Sequence, residues 1–150
     1  MSDIRARAAE GIRSGDTFTA TRTFTESDTE KFGRISRDFN PIHYDDRFVE
    51  AKRLPRKICH GLLVASLITE IGGQIGWLAS GMQFRFLRPV FFGDTITCEL
   101  IIREIRERLR ARATAIFRNQ HGKPVLEAEL SGLLPDQPER RVLRRILEEE

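Results

Sequence analysis

His60-Gly61-Leu62-Leu63-Val64-Ala65-Ser66-Leu67-Ile68-Thr69-Glu70-Ile71-Gly72-Gly73 carries a single charge and, wound as a helix, is apolar on nearly every side. A helix of that pattern is buried over most of its surface. The Gly72-Gly73 pair is expected to weaken or end it. Downstream of Gly81 the pattern changes to strands over residues 82–88, 95–103, 109–118 and 124–134, separated by short turns at 92–94, 104–108 and 119–122. Short loops join antiparallel neighbours. In 109–118, Arg110, Arg112 and Arg118 share one parity while Leu109, Ala111, Ala113, Ala115 and Phe117 share the other, which marks a strand with one wet and one buried face.

Upstream, Thr17 to Phe24 is rich in β-branched and aromatic residues and reads as a further strand. Ser27 and Glu30 have capping-box spacing and start a helix that continues through Phe32 and Ile35 to about residue 37. Pro41 disfavours helical geometry at Asn40, so the chain leaves the helix there. A second short helix is expected over 45–52. Residues 1–16 read as a polar, poorly specified lead-in. Residues 136–150 read as a charged tail, with Val142, Leu143, Ile146 and Leu147 on one face of a short helix. The layout is α+β: one antiparallel sheet and one long central helix in a single domain over 17–135. One helix cannot cover both faces of such a sheet and its edge strands need partners, so a homodimer is expected.

A chain of 150 residues, 40% hydrophobic and 31% charged, has the size of one domain and the composition to bury a core. No apolar run reaches the ~18 residues a membrane span needs. The N-terminus lacks an apolar signal core, so a cytoplasmic location is expected. Cys59 and Cys98 are too far apart for a CxxC site and imply neither a disulfide framework nor a zinc cluster. The 25 basic residues are nearly balanced by 22 acids, are spread along the chain, and come with one Trp and one Tyr. This is no stacking platform, and a nucleic-acid partner is not expected. Some of the arginines suit an anionic ligand carrying phosphates.

The segment Ser36-Arg37-Asp38-Phe39-Asn40-Pro41-Ile42-His43-Tyr44-Asp45 places an acid and an imidazole on either side of an Asn-Pro turn. Such a turn can fold Asp38 and His43 toward each other, with Asn40 bonding locally to hold it. A carboxylate beside an imidazole can hold and activate one water; the same residues also serve as caps and surface groups in many turns. No second histidine or carboxylate stands at helical ligand spacing from His43, so no metal is expected. At His60-Gly61 the unpaired N–H groups of a helix start suit a developing oxyanion, and glycine lets a carbonyl approach the backbone. The alternative is that these two residues merely begin a helix. His121 lies in a Gln-His-Gly turn and is assigned no role.

Asp38-Phe39-Asn40-Pro41-Ile42-His43 resembles the D-x-N-P-x-H core of the MaoC-like, or (R)-specific, enoyl-CoA hydratases. Ser36 and Asp45 fit the extended motif. Cys59 to Ser66 is similar to that family's central-helix start, and Leu87 to Asp94 to its F-x-x-P-V-x-x-G-D strand and turn, all in matching order. The resemblance covers roughly residues 17–135 and implies a hot-dog fold, usually dimeric. It also implies reversible hydration of a trans-2-enoyl-CoA to an (R)-3-hydroxyacyl-CoA, with no metal or redox cofactor and coenzyme A only as part of the substrate. Carried over, Asp38 and His43 form the catalytic pair, Gly61 donates its N–H to the thioester oxygen, and Asn40 fixes the loop and assists the thioester. Ser36 and Asp45 are structural. Leu63, Ser66, Thr69 and Gly72 on the central helix are then candidates for limiting the acyl chain. The alternatives are a carrier-protein dehydratase, a hot-dog thioesterase, which typically lacks the D-x-N-P-x-H arrangement, and a non-catalytic acyl-CoA-binding scaffold, which has no use for an acid–base pair.

Overall fold

The computed structural model describes residues 3–150, in the order α1 (Asp3–Glu10), β1 (Thr17–Thr23), α2 (Glu26–Ser36), a 3-10 turn (Pro41–His43), α3 (Asp46–Ala51), α4 (Gly61–Ala65), α5 (Leu67–Ile75), β2 (Leu78–Phe86), β3 (Thr95–Ile105), a second 3-10 turn (Glu107–Leu109), β4 (Arg110–Arg118), β5 (Pro124–Leu133) and α6 (Gln137–Glu149). The described residues form one five-stranded sheet in the order β1-β3-β4-β5-β2. Every neighbouring pair is antiparallel.

The alternation read in β4 holds: Ala111, Ala113, Ala115 and Phe117 are buried while Arg110, Arg112 and Arg118 are exposed. Those alanines share one core with Ile68, Ile71 and Ile75 of α5 and with Ile96, Leu100 and Ile102 of β3. Ile71, Ile75, Ile96 and Ile102 are all fully buried, each contributing roughly 2 kcal/mol by removal from water. The outer sheet face is polar and carries the Arg85–Glu127 and Arg112–Glu104 pairs, so it needs no second helix to cover it. Cys59 and Cys98 are free and buried, and burial pushes both thiols up to about 12.

Several local expectations change. The cap of α2 is Thr25, not Ser27: its side chain accepts from the Asp28 N–H at 3.2 Å, and the Asp28 carboxylate accepts from the Thr25 N–H at 3.0 Å. Ile35 is exposed. The central helix is interrupted at Ser66, whose hydroxyl donates to the Leu63 carbonyl at 2.6 Å while Thr69 Oγ1 donates to the Ser66 carbonyl at 2.6 Å. Hydroxyls that bond back to the preceding turn compete with the helical ladder and bend it. Gly72 and Gly73 do not end the helix; it closes at Gly76, in the left-handed region with φ 80°.

The two polar ends of the chain are both helical and meet each other. Ala8 and Ala9 of α1 are buried, and Arg140 of α6 donates to the Glu10 carbonyl at 2.9 Å. Arg5 donates to the Gly73 and Gln74 carbonyls at 3.1 and 3.3 Å, satisfying acceptors that the end of α5 leaves open.

Candidate active site

The loop after α2 is built from a chain of short-range bonds. Arg37 closes the helix in the left-handed conformation, φ 59°, with its N–H donating to the Gly33 carbonyl at 2.8 Å. That cap turns the chain sharply away from the helix axis. Ser36 Oγ donates to the Phe32 carbonyl at 2.7 Å and accepts from the Asp38 N–H at 3.1 Å. Asp38 Oδ1 accepts from the Asn40 N–H, and Asn40 Oδ1 accepts from the Ile42 N–H, both at 3.1 Å. Two successive Asx turns with Pro41 at the first turn position thus deliver His43 on a stiff 3-10 turn.

His43 is buried, whereas Asp38 is exposed. His43 Nδ1 lies 2.8 Å from the Ile58 carbonyl, which can only accept, so Nδ1 carries the proton and Nε2 keeps its lone pair. Burial pushes the His43 imidazole below its ordinary value of 6.5; the Ile58 carbonyl opposes this, nearby His60 adds to it, and the Asp38 charge opposes it. The ring is therefore held neutral, as a proton acceptor must be.

His60 completes the arrangement. It is 1% exposed and its ring stacks on His43 with centroids 3.9 Å apart and 30° between planes, while Phe32 of α2 packs on it at 4.9 Å. Its Nε2–H donates to the Asp38 backbone carbonyl at 2.9 Å, which pins the residue that carries the carboxylate. Its Nδ1 is buried without a hydrogen-bond partner among the described residues. One ligand atom each from Asp38, His43 and His60 lies within 4.8 Å of the others, the spacing of a candidate metal cluster. Nδ1 of His43 and Nε2 of His60 already donate to carbonyls, so His43 Nε2 and His60 Nδ1 are the ring nitrogens left with lone pairs.

Asp38 and His43 border a cavity of about 510 Å³ whose wall also includes Gly61, Leu62, Phe86 and Val90, with His60 buried behind them. Gly61 stands at the first position of α4, and a β-carbon there would lie 2.6 Å from Phe86 Cε1. The structure thus brings together Asp38, His43 and Gly61. It does not bring Asn40 to the cavity wall: that side chain is engaged in holding the turn. Ser36 and Asp45 serve the loop, Asp45 as the α3 cap and in an ion pair with Arg47 at 2.6 Å. Leu63, Ser66, Thr69 and Gly72 also lie outside this cavity. Leu63 packs on the core and the Ser66 hydroxyl is bonded to its own helix. Thr69 and Gly72 line a separate apolar cavity of about 260 Å³ with Ile68, Trp77, Met82 and Leu130.

Sequence reasoning did not find the packing role of His60 or the wall residues Phe86 and Arg88. Phe86 and Arg88 are distant in the chain from Asp38 and reach the site only through the β2–β5 pairing. The available signal for His60 was a polar ring opening an otherwise apolar helix.

The MaoC-like domain family matches residues 11–121. The chain is 33% identical over 104 residues to the (R)-specific enoyl-CoA hydratase of Aeromonas caviae, covering 67% of this chain and 78% of that one. It is 26% identical over 131 residues to a mitochondrial 3-hydroxyacyl-[acyl-carrier-protein] dehydratase of Arabidopsis thaliana, covering 83% and 79%. Among solved structures, the unliganded R-hydratase PhaJ1 of Pseudomonas aeruginosa superposes with a TM-score of 0.78 at 29% identity, covering 85% of each chain. A hot-dog sheet with a D-x-N-P-x-H loop folded against the start of its central helix, matched over most of its length by one family, makes this chain a member of the MaoC-like domain family.

Proposed function

We propose that the chain is a hydro-lyase that reversibly adds water to a trans-2-enoyl-CoA to give an (R)-3-hydroxyacyl-CoA. The observation that carries this reading is the convergence of the Asp38 carboxylate and the His43 imidazole, within 4.8 Å, on a cavity whose wall also contains Gly61. Curated relatives with hydratase and dehydratase names support it.

In this mechanism Asp38 and His43 hold one water against the β-carbon. As its oxygen bonds to that carbon, His43 Nε2 takes one of its protons, and the alkene electrons move onto the thioester oxygen as an enolate. Gly61, first in α4 and on the cavity wall, donates its N–H to that oxygen in this reading; a donor of this kind is worth about 3 kcal/mol. The proton then passes through Asp38 to the α-carbon on the same face, so that one hydroxyl and one hydrogen have been added. The reaction is redox-neutral and uses no hydride carrier; coenzyme A enters only as part of the substrate. The acyl chain lies along Leu62, Phe86 and Val90, and Thr69 and Gly72 limit its length only where the tail reaches their separate cavity.

We further propose a homodimer in the reducing cytoplasm. The free, buried cysteines agree with that compartment. β2 is an edge strand whose Leu78, Met82 and Phe86 are exposed, whereas the other edge, β1, carries threonines paired to β3. Two β2 strands related by a two-fold axis would pair antiparallel and cover those side chains.

The test is loss of the conjugated-alkene absorbance of crotonyl-CoA without release of free thiol. Asp38→Asn and His43→Ala are each expected to lower kcat by about 10²–10⁴-fold in folded protein. Thiol release would identify a thioesterase instead, and near-normal turnover in either variant would remove that residue from the mechanism.

A further inference from the structure

The apolar cavity of about 260 Å³ lies in line with the one bordered by Asp38 and His43. Phe86 and its cross-strand partner Leu126 border the first cavity; Met82 and its partner Leu130 border the second. The step from Phe86 to Met82 is roughly 13 Å of strand on one face of the sheet. On the helix side the lining passes from Gly61 and Val64 to Ile68, Thr69 and Gly72. A tail whose carbonyl sits at Gly61 and that follows this face meets the second cavity.

The far wall of that cavity is the last turn of α5 with Trp77 behind it, and this turn is weak by composition. Gly72 and Gly73 lie inside the helix, where glycine favours unwinding relative to alanine. Trp77 takes its place from the same turn: its backbone N–H and that of Gly76 both donate to the Gly72 carbonyl, at 2.9 and 3.0 Å. The carbonyls of Gly73 and Gln74 have no such partner within the helix end. Arg5 of α1 supplies one for each, Nη2 donating to the Gly73 carbonyl at 3.1 Å and Nε to the Gln74 carbonyl at 3.3 Å. A guanidinium holds its donors in a rigid fork, and its charge sits at the negative end of the helix dipole. Arg5 belongs to none of the ion pairs among the described residues, so its fork serves these carbonyls.

The helix that carries Arg5 is itself anchored on both sides. Arg7 donates to the Thr17 carbonyl at 3.0 Å and lies over the Phe18 ring, its guanidinium carbon 4.2 Å from the centroid. From the other side Arg140 of α6 donates to the Glu10 carbonyl. Both terminal helices lie outside residues 11–121, which the MaoC-like family matches, so this support belongs to the chain's own ends. We propose that Arg5 is a positioning residue: through the Gly73 and Gln74 carbonyls it holds the last turn of α5 and Trp77 as the wall of the second cavity, and so sets the affinity for acyl chains long enough to enter it. Arg5 touches no substrate atom, and the chemistry at Asp38 and His43 does not depend on it. The identity of the ligand rests on the enoyl-thioester reading.

Trp77 is the chain's one tryptophan, so its emission reports on this cavity directly. Decanoyl-CoA, which has no alkene to hydrate, is expected to change that emission in the intact chain, and butyryl-CoA to leave it unchanged. Arg5→Gln is expected to weaken decanoyl-CoA binding about five- to tenfold through the loss of two charge-assisted bonds, and Arg5→Lys to recover part of the loss. Arg7→Gln is the control: it loosens α1 from β1 without touching α5 and should leave decanoyl-CoA binding as it was. In turnover, Arg5→Gln should raise KM for trans-2-decenoyl-CoA by the same factor with little change in kcat, and leave both constants for crotonyl-CoA unaltered. The same emission change with both saturated ligands, or none with decanoyl-CoA, would overturn the proposal. So would intact-chain affinity in Arg5→Gln, an equal loss in Arg7→Gln, or an equal rise in KM for crotonyl-CoA. If neither enoyl thioester is hydrated, the hydratase reading fails, while the emission titration still decides whether Arg5 governs this cavity.

Discussion

Because a carbonyl oxygen only accepts, the 2.8 Å contact of His43 Nδ1 with the Ile58 carbonyl decides which ring nitrogen is basic, and the cavity receives the lone pair of Nε2. Burial is the largest influence on this ring and lowers its proton affinity. The consequence for activity is that kcat/KM should hold constant on acidification until below pH 6.5, the ordinary imidazole value, and only then fall. The consequence for stability has the same sign. Below pH 6.5 the unfolded chain takes up a proton at this position that the folded chain resists, so this contribution is complete above 6.5 and declines as the pH falls. Rate profiles and thermal unfolding across pH 5–8 check both, with His43→Ala as the control that should flatten the stability difference. A limb centred above 6.5 would show that His43 is not the group being titrated. The proximity of Asp38 and His43 was legible in the residues themselves, since acid, turn and imidazole lie within six consecutive positions. His60 was not, because its work is to stack on one ring and to bond one backbone carbonyl, and neither contact is local in sequence.

At the scale of elements, the site depends on how closely α2 approaches the loop that follows it. Gly33 provides that closeness: a β-carbon there would overlap the Tyr44 hydroxyl, which donates to the Thr29 carbonyl at 3.3 Å. Gly33→Ala is therefore expected to push Tyr44 and the Pro41–His43 turn off α2, with a loss of about 1–3 kcal/mol in unfolding free energy. Activity should fall more than the stability loss alone explains, because His43 rides on the displaced turn. Denaturant unfolding and turnover on the same preparations check this; a variant with unchanged stability and rate would show that the loop has room to spare. The strands were readable because their burial alternates with period two, and their ends are shifted by only a few residues except at the start of β2. The break at Ser66 and the cap at Thr25 were not, since both turn on which of several hydroxyls finds an acceptor once the backbone is in place.

For the whole molecule, five of the exposed large apolar side chains lie close to the candidate site or along one edge: Leu62, Phe86 and Leu87 line the cavity bordered by Asp38 and His43, and Leu78 and Met82 lie on the free edge strand β2. Pairing of two β2 edges would join the sheets of two chains and shelter this strip. Light scattering is expected to give a mass near twice 17.3 kDa, and Leu78→Lys/Met82→Lys to shift the population to the single-chain mass. A wild-type mass of 17.3 kDa would exclude the pairing. Of the two sequence grounds for a partner, an uncovered sheet face and unpaired edge strands, the first falls away because the outer face is polar and ion-paired. The edge strand, not the face, carries the case.

What the sequence determined by itself is whatever depends on near neighbours and on periodicity: the period-two strands, the apolar central helix, and an acid and imidazole folded together across Asn-Pro. Hydrogen-bond geometry and side-chain alternation act over a few residues, so a few residues suffice to read them. Only the tertiary structure decided that Phe86 faces Gly61, that His60 stacks on His43, that the two terminal helices meet, and that Arg5 reaches the last carbonyls of α5. Those contacts join positions tens of residues apart and follow from which faces of sheet and helix meet, a choice made by the burial of the core as a whole.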